Sequence, residues 1–174
     1  MPDLVTHTAI AHLIRRPFGW RNTSKSDTAM RTLFYLGVML PDLPSRPVYI
    51  VFPSLYDWVV AFHTPLGMLF TCAFASLLFE RPLRKRAFGW LFFGTILHFI
   101  TDCLQKQVTG NNFWLFPFSW KNFEVGLFWA GEAIPFVPVW IALVLLMEFI
   151  FHRKKSNRIR RTIESADRKF SGMV

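Results

Sequence analysis

His98 and Asp102 are the two residues whose types and spacing most directly suggest chemistry. They are four positions apart in an apolar segment, so in a helix both side chains lie on one face, one turn apart. An imidazole nitrogen and a carboxylate oxygen at this spacing can bind one divalent metal ion together. They can equally form a hydrogen-bonded pair that satisfies two polar groups in apolar surroundings. The pair by itself leaves both interpretations open.

Three further residues of the same kinds lie at the ends of other apolar segments. His7 is near the start of the chain, Asp42 follows a short apolar run, and His63 precedes Thr64-Pro65. A threonine followed by proline is typical of a helix N-cap and first helical position, which would place His63 at the mouth of a helix. Whether these residues meet depends on the elements that carry them.

The composition indicates what kind of protein carries these residues. Of 174 residues, 52% are hydrophobic, 20 are Phe, and the mean hydropathy is +0.30. Such a chain is too apolar for a soluble domain of this length, and it predicts an integral membrane protein. Ionisable groups at membrane depth are costly and are usually paired, hydrated or functional, so each buried histidine and aspartate needs an explanation.

The net charge of +9 is concentrated beside the apolar runs. Seventeen of the twenty Lys and Arg residues lie in residues 15–31, 81–86 and 153–169. This distribution is typical of the positive-inside rule, by which basic connections stay in the cytoplasm. We therefore expect a protein of the inner (plasma) membrane of a bacterium, in contact with membrane lipid and with no nucleic-acid partner.

The hydrophobic pattern predicts an all-α fold, an integral membrane helical bundle. Three clear apolar helices are expected within residues 59–79, 87–102 and 125–151. Two shorter N-terminal helices, within residues 1–14 and 32–40, span roughly 18 Å or less, against about 30 Å of hydrocarbon core. We assign residues 1–151 to a membrane-embedded helical domain and residues 152–174 to a basic cytoplasmic tail.

The predicted topology gathers the candidate ligands on one side of the membrane. If the three basic segments are cytoplasmic, the threading places five residues towards the non-cytoplasmic ends of their segments: His7, Asp42, His63, His98 and Asp102. The charge rule does not require that coincidence. Mixed imidazole and carboxylate donors suit zinc or a similar divalent ion. Such an ion would activate water and polarise an ester or phosphoryl oxygen of a lipid or another small molecule reached at the interface.

Two carboxylates are candidates for the catalytic base of such a reaction, Asp102 and Glu132. Glu132 can equally be a structural carboxylate near a helix kink, because Pro135 and Pro138 follow it. The alternative function is a non-catalytic integral membrane protein. In that case the buried His and Asp groups hold the bundle together or carry an ion or proton.

Several short motifs resemble the membrane-bound metal-dependent hydrolase family, which is distantly similar to zinc-dependent phospholipase C. They are Thr6-His7, Gly37-Val38-Met39-Leu40-Pro41-Asp42, His63-Thr64, His98-Phe99-Ile100-Thr101-Asp102 and Phe116-Pro117-Phe118-Ser119. The resemblance covers residues 4–150 and lies in the order and spacing of the motifs. It implies a metal-dependent hydrolase whose metal ligands are His7, Asp42, His63, His98 and Asp102.

Overall fold

The computed structural model describes residues 4–18, 25–106 and 113–171. The chain is all-α, as predicted, with 80% of it helical. Within the described ranges the α-helices are α1 (Leu4–Arg15), α2 (Lys25–Met39), α3 (Asp42–Val51), α4 (Tyr56–Val60), α5 (Pro65–Ser76), α6 (Arg81–Cys103), α7 (Ala130–Ala133) and α8 (Val137–Ser171). Two short strands, β1 (Gln105–Lys106) and β2 (Phe128–Trp129), pair in parallel.

The prediction of three clear apolar helices is wrong in number. Among the described residues, only the helical stretch Gly131–Glu164 is long and apolar enough to cross a membrane by itself. A second candidate is the pair Pro53–His63 and Pro65–Ser76, which is bent by 75° at its break. The break follows from Thr64, whose extended backbone and side-chain bond to the Gly67 N–H start a new helix there. The N-cap prediction for Thr64 is thereby confirmed.

Helix α6 covers the predicted helix 87–102 and begins earlier, at Arg81. Its apolar sequence is diluted by polar residues, and Thr95, His98 and Asp102 are fully buried. The helix therefore directs its polar groups into the bundle and its apolar groups, such as Ile96 and Ile100, outward. The mean hydropathy of α6 therefore indicates only a weak membrane span, because it averages the polar inner face with the apolar outer face.

The last long helix begins later than predicted. Residues 125–127 are not helical, since the Val125 and Leu127 N–H groups donate to the carbonyl oxygens of Cys103 and Leu104, at 2.7 Å each. Gly126, with a φ of +65°, and the pairing of β2 with β1 keep the backbone of this segment out of helical geometry. Pro135 lies in the 3₁₀ turn Ile134–Phe136, directly before α8. The predicted domain boundary at residues 151/152 falls inside α8, which runs unbroken to Ser171.

Helices α2 and α6 are in direct backbone contact at two glycines. A Cβ on Gly37 would lie 2.1 Å from the Leu91 carbonyl oxygen, and one on Gly94 would lie 2.2 Å from that of Phe34. Small residues permit such close crossings between helices in membrane proteins. The Thr95 hydroxyl bonds to the Gly37 carbonyl oxygen across this contact, at 3.1 Å. The crossing fixes the distance between the end of α2 and the second half of α6.

Helix α8 packs against α1, and Glu148 is the centre of a polar contact at the end of α1. The Glu148 carboxylate forms an ion pair with Arg16, whose Nε and Nη2 atoms lie 2.7 and 2.9 Å from its two oxygens. Its Oε1 also lies 2.9 Å from Nε2 of His12. Away from this contact the helix presents apolar side chains outward, with Leu145 65% exposed and Phe149 56% exposed. Apolar side chains exposed over such a length are suited to lipid rather than to water.

Candidate metal centre

Four separate elements bring the five predicted ligands into one buried cluster. His7 comes from the first turns of α1, Asp42 begins α3, and His63 ends the 3₁₀ turn Ala61–His63. His98 and Asp102 lie one turn apart on α6, as their spacing predicted. All five are at most 3% exposed.

Asp102 lies at the centre of the cluster. Its Oδ1 is 3.2 Å from Nε2 of His7, and its Oδ2 is 3.3 Å from Nε2 of His63 and 3.2 Å from Nε2 of His98. The Nε2 atoms of His63 and His98 are 3.2 Å apart. Asp42 completes the set, with its Oδ1 3.5 Å from Nε2 of His63 and 3.9 Å from Nε2 of His98.

These separations match those between ligands of one ion. Nitrogen and oxygen ligands bind zinc at about 2.0–2.2 Å, so two of them in a tetrahedron lie about 3.3–3.6 Å apart. Two groups of three have all their donor atoms within 4.8 Å of one another: His7, Asp42 and His98, and His63, His98 and Asp102. His98 belongs to both. The residues are arranged so that they can hold a metal ion.

The outer nitrogens of two histidines are held by hydrogen bonds. Nδ1 of His98 lies 2.8 Å from the Val38 carbonyl oxygen, which can only accept, so His98 donates its Nδ1–H. Nδ1 of His7 bonds to the Thr101 hydroxyl, which in turn lies 2.7 Å from the His98 carbonyl oxygen. Metal-binding histidines typically donate their second ring N–H in this way, which fixes the tautomer and the ring direction.

Arg46 supplies a positive charge beside Asp42. Its Nη2 lies 2.8 Å from Oδ2 of Asp42, and this ion pair favours the carboxylate form of the aspartate. Carboxylate and neutral imidazole are the forms that bind metal.

Glu132 does not belong to either group of donor atoms. It is exposed in α7, and its carboxylate accepts from the Trp129 backbone N–H at 2.8 Å, as in a helix capping box. The structure therefore gives Glu132 a local structural contact, which is the second of the two roles the sequence left open.

Sequence reasoning missed the residues that support the cluster. Arg46 follows Asp42 by four positions, a helical spacing that indicates an ion pair and that was available in the sequence. Thr101 was available only as the neighbour of Asp102. Its role depends on His7, which is 94 positions away, and no local pattern carries that information.

A narrow cleft lies beside His63 and is lined by Pro65, Phe99, Phe113 and Trp114 as well. Its lining is aromatic and apolar apart from the histidine. The cleft is too narrow to admit a water molecule, and His63 is only 3% exposed.

The chain matches the YdjM inner membrane protein family over residues 1–165. No curated protein and no solved structure matches it. The match includes all five cluster residues and almost the whole of α8. It agrees with the outward-facing apolar helix Gly131–Glu164 and confirms the predicted location. The chain therefore belongs to the YdjM inner membrane protein family and is an integral protein of the inner membrane.

Proposed function

We propose that the cluster of His7, Asp42, His63, His98 and Asp102 binds a divalent metal ion, zinc being the best match to its donors, and that the protein is a metal-dependent hydrolase. The substrate we propose is an ester or phosphoester, in a lipid or another small molecule that reaches the site at the non-cytoplasmic interface. The resemblance of the motifs to membrane-bound metal-dependent hydrolases gives the reaction class.

The observation that carries the proposal is the orientation of the imidazole lone pairs. His98 donates its Nδ1–H to the Val38 carbonyl oxygen, so in the neutral ring the lone pair is on Nε2. That lone pair faces Oδ2 of Asp102 at 3.2 Å. Nε2 of His7 faces the other oxygen, Oδ1, also at 3.2 Å. Two electron-rich atoms at this distance repel unless a cation or a proton lies between them. A divalent ion relieves every such contact in the cluster at once.

The donor set defines the chemistry available. A zinc ion bound there would lower the pKa of a water molecule to near neutrality and polarise an ester or phosphoryl oxygen. Asp102 is the carboxylate closest to all three imidazoles, so it both holds the site and is the candidate to receive a proton. We keep Glu132 as the second candidate base, although its observed contact is local.

A second function is favoured by how deeply the cluster is buried. None of the five residues is more than 3% exposed, which suits a group that holds four elements together or carries a proton or ion. In that case each short nitrogen–oxygen contact contains a proton. The protein would then be a non-catalytic membrane protein, and the cluster would retain no metal.

The test is the metal content of the detergent-purified protein. The parent is compared with a His63→Ala/His98→Ala double variant and with His152→Ala, a matched control that removes an exposed histidine of α8. We expect one or two equivalents of zinc, manganese or iron in the parent and in His152→Ala, and none in the double variant. A screen of ester and phosphoester substrates follows, in which the double variant is the negative control.

The two functions give different outcomes. Metal in the parent but not in the double variant establishes the centre, and turnover that depends on that metal establishes the hydrolase. If neither protein contains metal after reloading, the proposal is wrong. The double variant would then unfold at a lower temperature than the parent, because it leaves buried carboxylates without their partners, at about 1–3 kcal/mol each or more.

A further inference from the structure

A groove beside α1, which none of the five cluster residues lines, has two distinct ends. It encloses about 560 Å³ between α1, α2 and α8. Its walls are apolar and include Val5, Ala9, Met39, Ile141, Val144 and Leu145. The polar lining is basic or uncharged, and its cations are Arg15 and Arg31. The volume is typical of a small-molecule site.

Arg15 is unusual because it is a buried cation. It is only 5% exposed, and its Nε–H donates to the Tyr35 hydroxyl at 3.0 Å. Within the part of the chain that the structure describes, neither Arg15 nor Arg31 has a carboxylate at ion-pair distance, whereas Arg16 next to it is paired with Glu148. Buried guanidinium groups are normally paired, since an uncompensated charge in a low dielectric is costly. The groove therefore lacks an anion at this end.

The groove is long enough for most of an acyl chain. It follows α1 from Leu4 to Arg15, which are about 17 Å apart along a helix, and an acyl chain reaches about 15 Å, since two of them fill the hydrocarbon core. Arg31 is one turn before Tyr35 on α2, so both guanidinium groups belong to the same end. That end adjoins the contact between Arg16 and Glu148, beyond which the basic part of α8 begins.

We propose that this groove binds one anionic glycerophospholipid of the cytoplasmic leaflet. One acyl chain lies along α1 against Ile141, Val144 and Leu145, and the phosphate accepts hydrogen bonds from Arg15 and Arg31. Guanidinium groups bind phosphate through paired, charge-assisted hydrogen bonds, which supply the missing anion. The apolar walls are covered by the chain, which accounts for exposures of 46% at Ile141 and 65% at Leu145. This inference does not depend on the metal centre.

The experiment is native mass spectrometry of the detergent-solubilised protein with added lipid. The probes are palmitoyl-oleoyl phosphatidylglycerol and the phosphatidylcholine with the same chains, so only the net charge of the headgroup differs. We expect the parent to retain one phosphatidylglycerol in clear preference to phosphatidylcholine. Arg31→Gln should weaken that binding about tenfold, as expected for one lost charged hydrogen bond.

Two further variants separate the headgroup from the chain. Val144→Trp fills the apolar wall and should reduce the binding of both lipids, whereas Arg15→Lys keeps the charge and should retain the preference in part. The matched control is Lys85→Gln/Arg86→Gln, which removes two exposed charges from the start of α6. Equal retention of the two lipids by the parent would overturn the proposal. So would a loss in the control equal to the loss in Arg31→Gln.

Discussion

The glycine crossing of α2 and α6 gives a test of how the fold holds the cluster without changing any of its members. In Gly94→Ala, the new Cβ would lie 2.2 Å from the Phe34 carbonyl oxygen and 2.8 Å from the Val38 backbone nitrogen. Ordinary contacts begin at 3.4 Å, so the two helices must separate by about 1 Å. Both neighbours are backbone atoms, and no side-chain rotation can relieve the contact.

The separation has two measurable consequences. Overpacking of this kind costs about 1–3 kcal/mol, which lowers the melting temperature of a protein of this size by roughly 2–4 °C for each kcal/mol. The same shift moves His98 and Asp102 away from Asp42 by about half the length of a metal–ligand bond. We therefore expect metal affinity to fall at least tenfold, within the range for altered supporting contacts.

The matched control is Gly89→Ala on the same helix, where an added Cβ meets nothing within 4 Å. There the change should be neutral or stabilising by up to about 1 kcal/mol, because alanine favours the helix. Thermal unfolding in detergent and metal analysis of both variants give the comparison. If Gly94→Ala keeps the melting temperature and metal content of Gly89→Ala, the crossing does not position the cluster.

Three further predictions follow from other contacts. Glu148→Gln should lower the free energy of unfolding by about 1 kcal/mol or less, because its ion pair with Arg16 is half-exposed. It should leave the metal content unchanged; thermal unfolding and metal analysis measure the two effects. Chelation of the metal should lower the melting temperature of the parent, by the equivalent of about 2.7 kcal/mol if the ion is present at 100 times its Kd. It should not change the melting temperature of His63→Ala/His98→Ala, and equal shifts in the two proteins would contradict the site. A cysteine at residue 46 should react with a membrane-impermeant reagent from the non-cytoplasmic side, and one at residue 84 should not; the reverse pattern would invert the topology.

Much of the candidate site could be predicted because its information is local. His98 and Asp102 are one helical turn apart, and the structure places both on α6. His7, Asp42 and His63 were found because apolar runs end beside them, and helix ends on one side of a bundle meet. The all-α class followed from the apolar periodicity in the same way.

What could not be predicted depends on long-range contacts. The start of α8 is delayed because residues 125–127 bond to the end of α6, some twenty positions earlier. The break at Thr64 was recognisable as a helix start, but its 75° bend was not, since packing sets that angle. The number of spanning helices was overestimated for two reasons. The apolar run 59–79 is bent at Thr64, and the basic start and polar residues of α6 leave it less apolar than a clear span.

The wide spacing of the cluster along the chain has a consequence for biosynthesis. His7 is synthesised with α1, yet its partner Thr101 follows 94 positions later, at the end of α6. Until α6 has been synthesised and packed against α2, the nascent chain holds this imidazole without its final contacts. The five donor residues of the proposed site therefore come together only after all four elements have assembled.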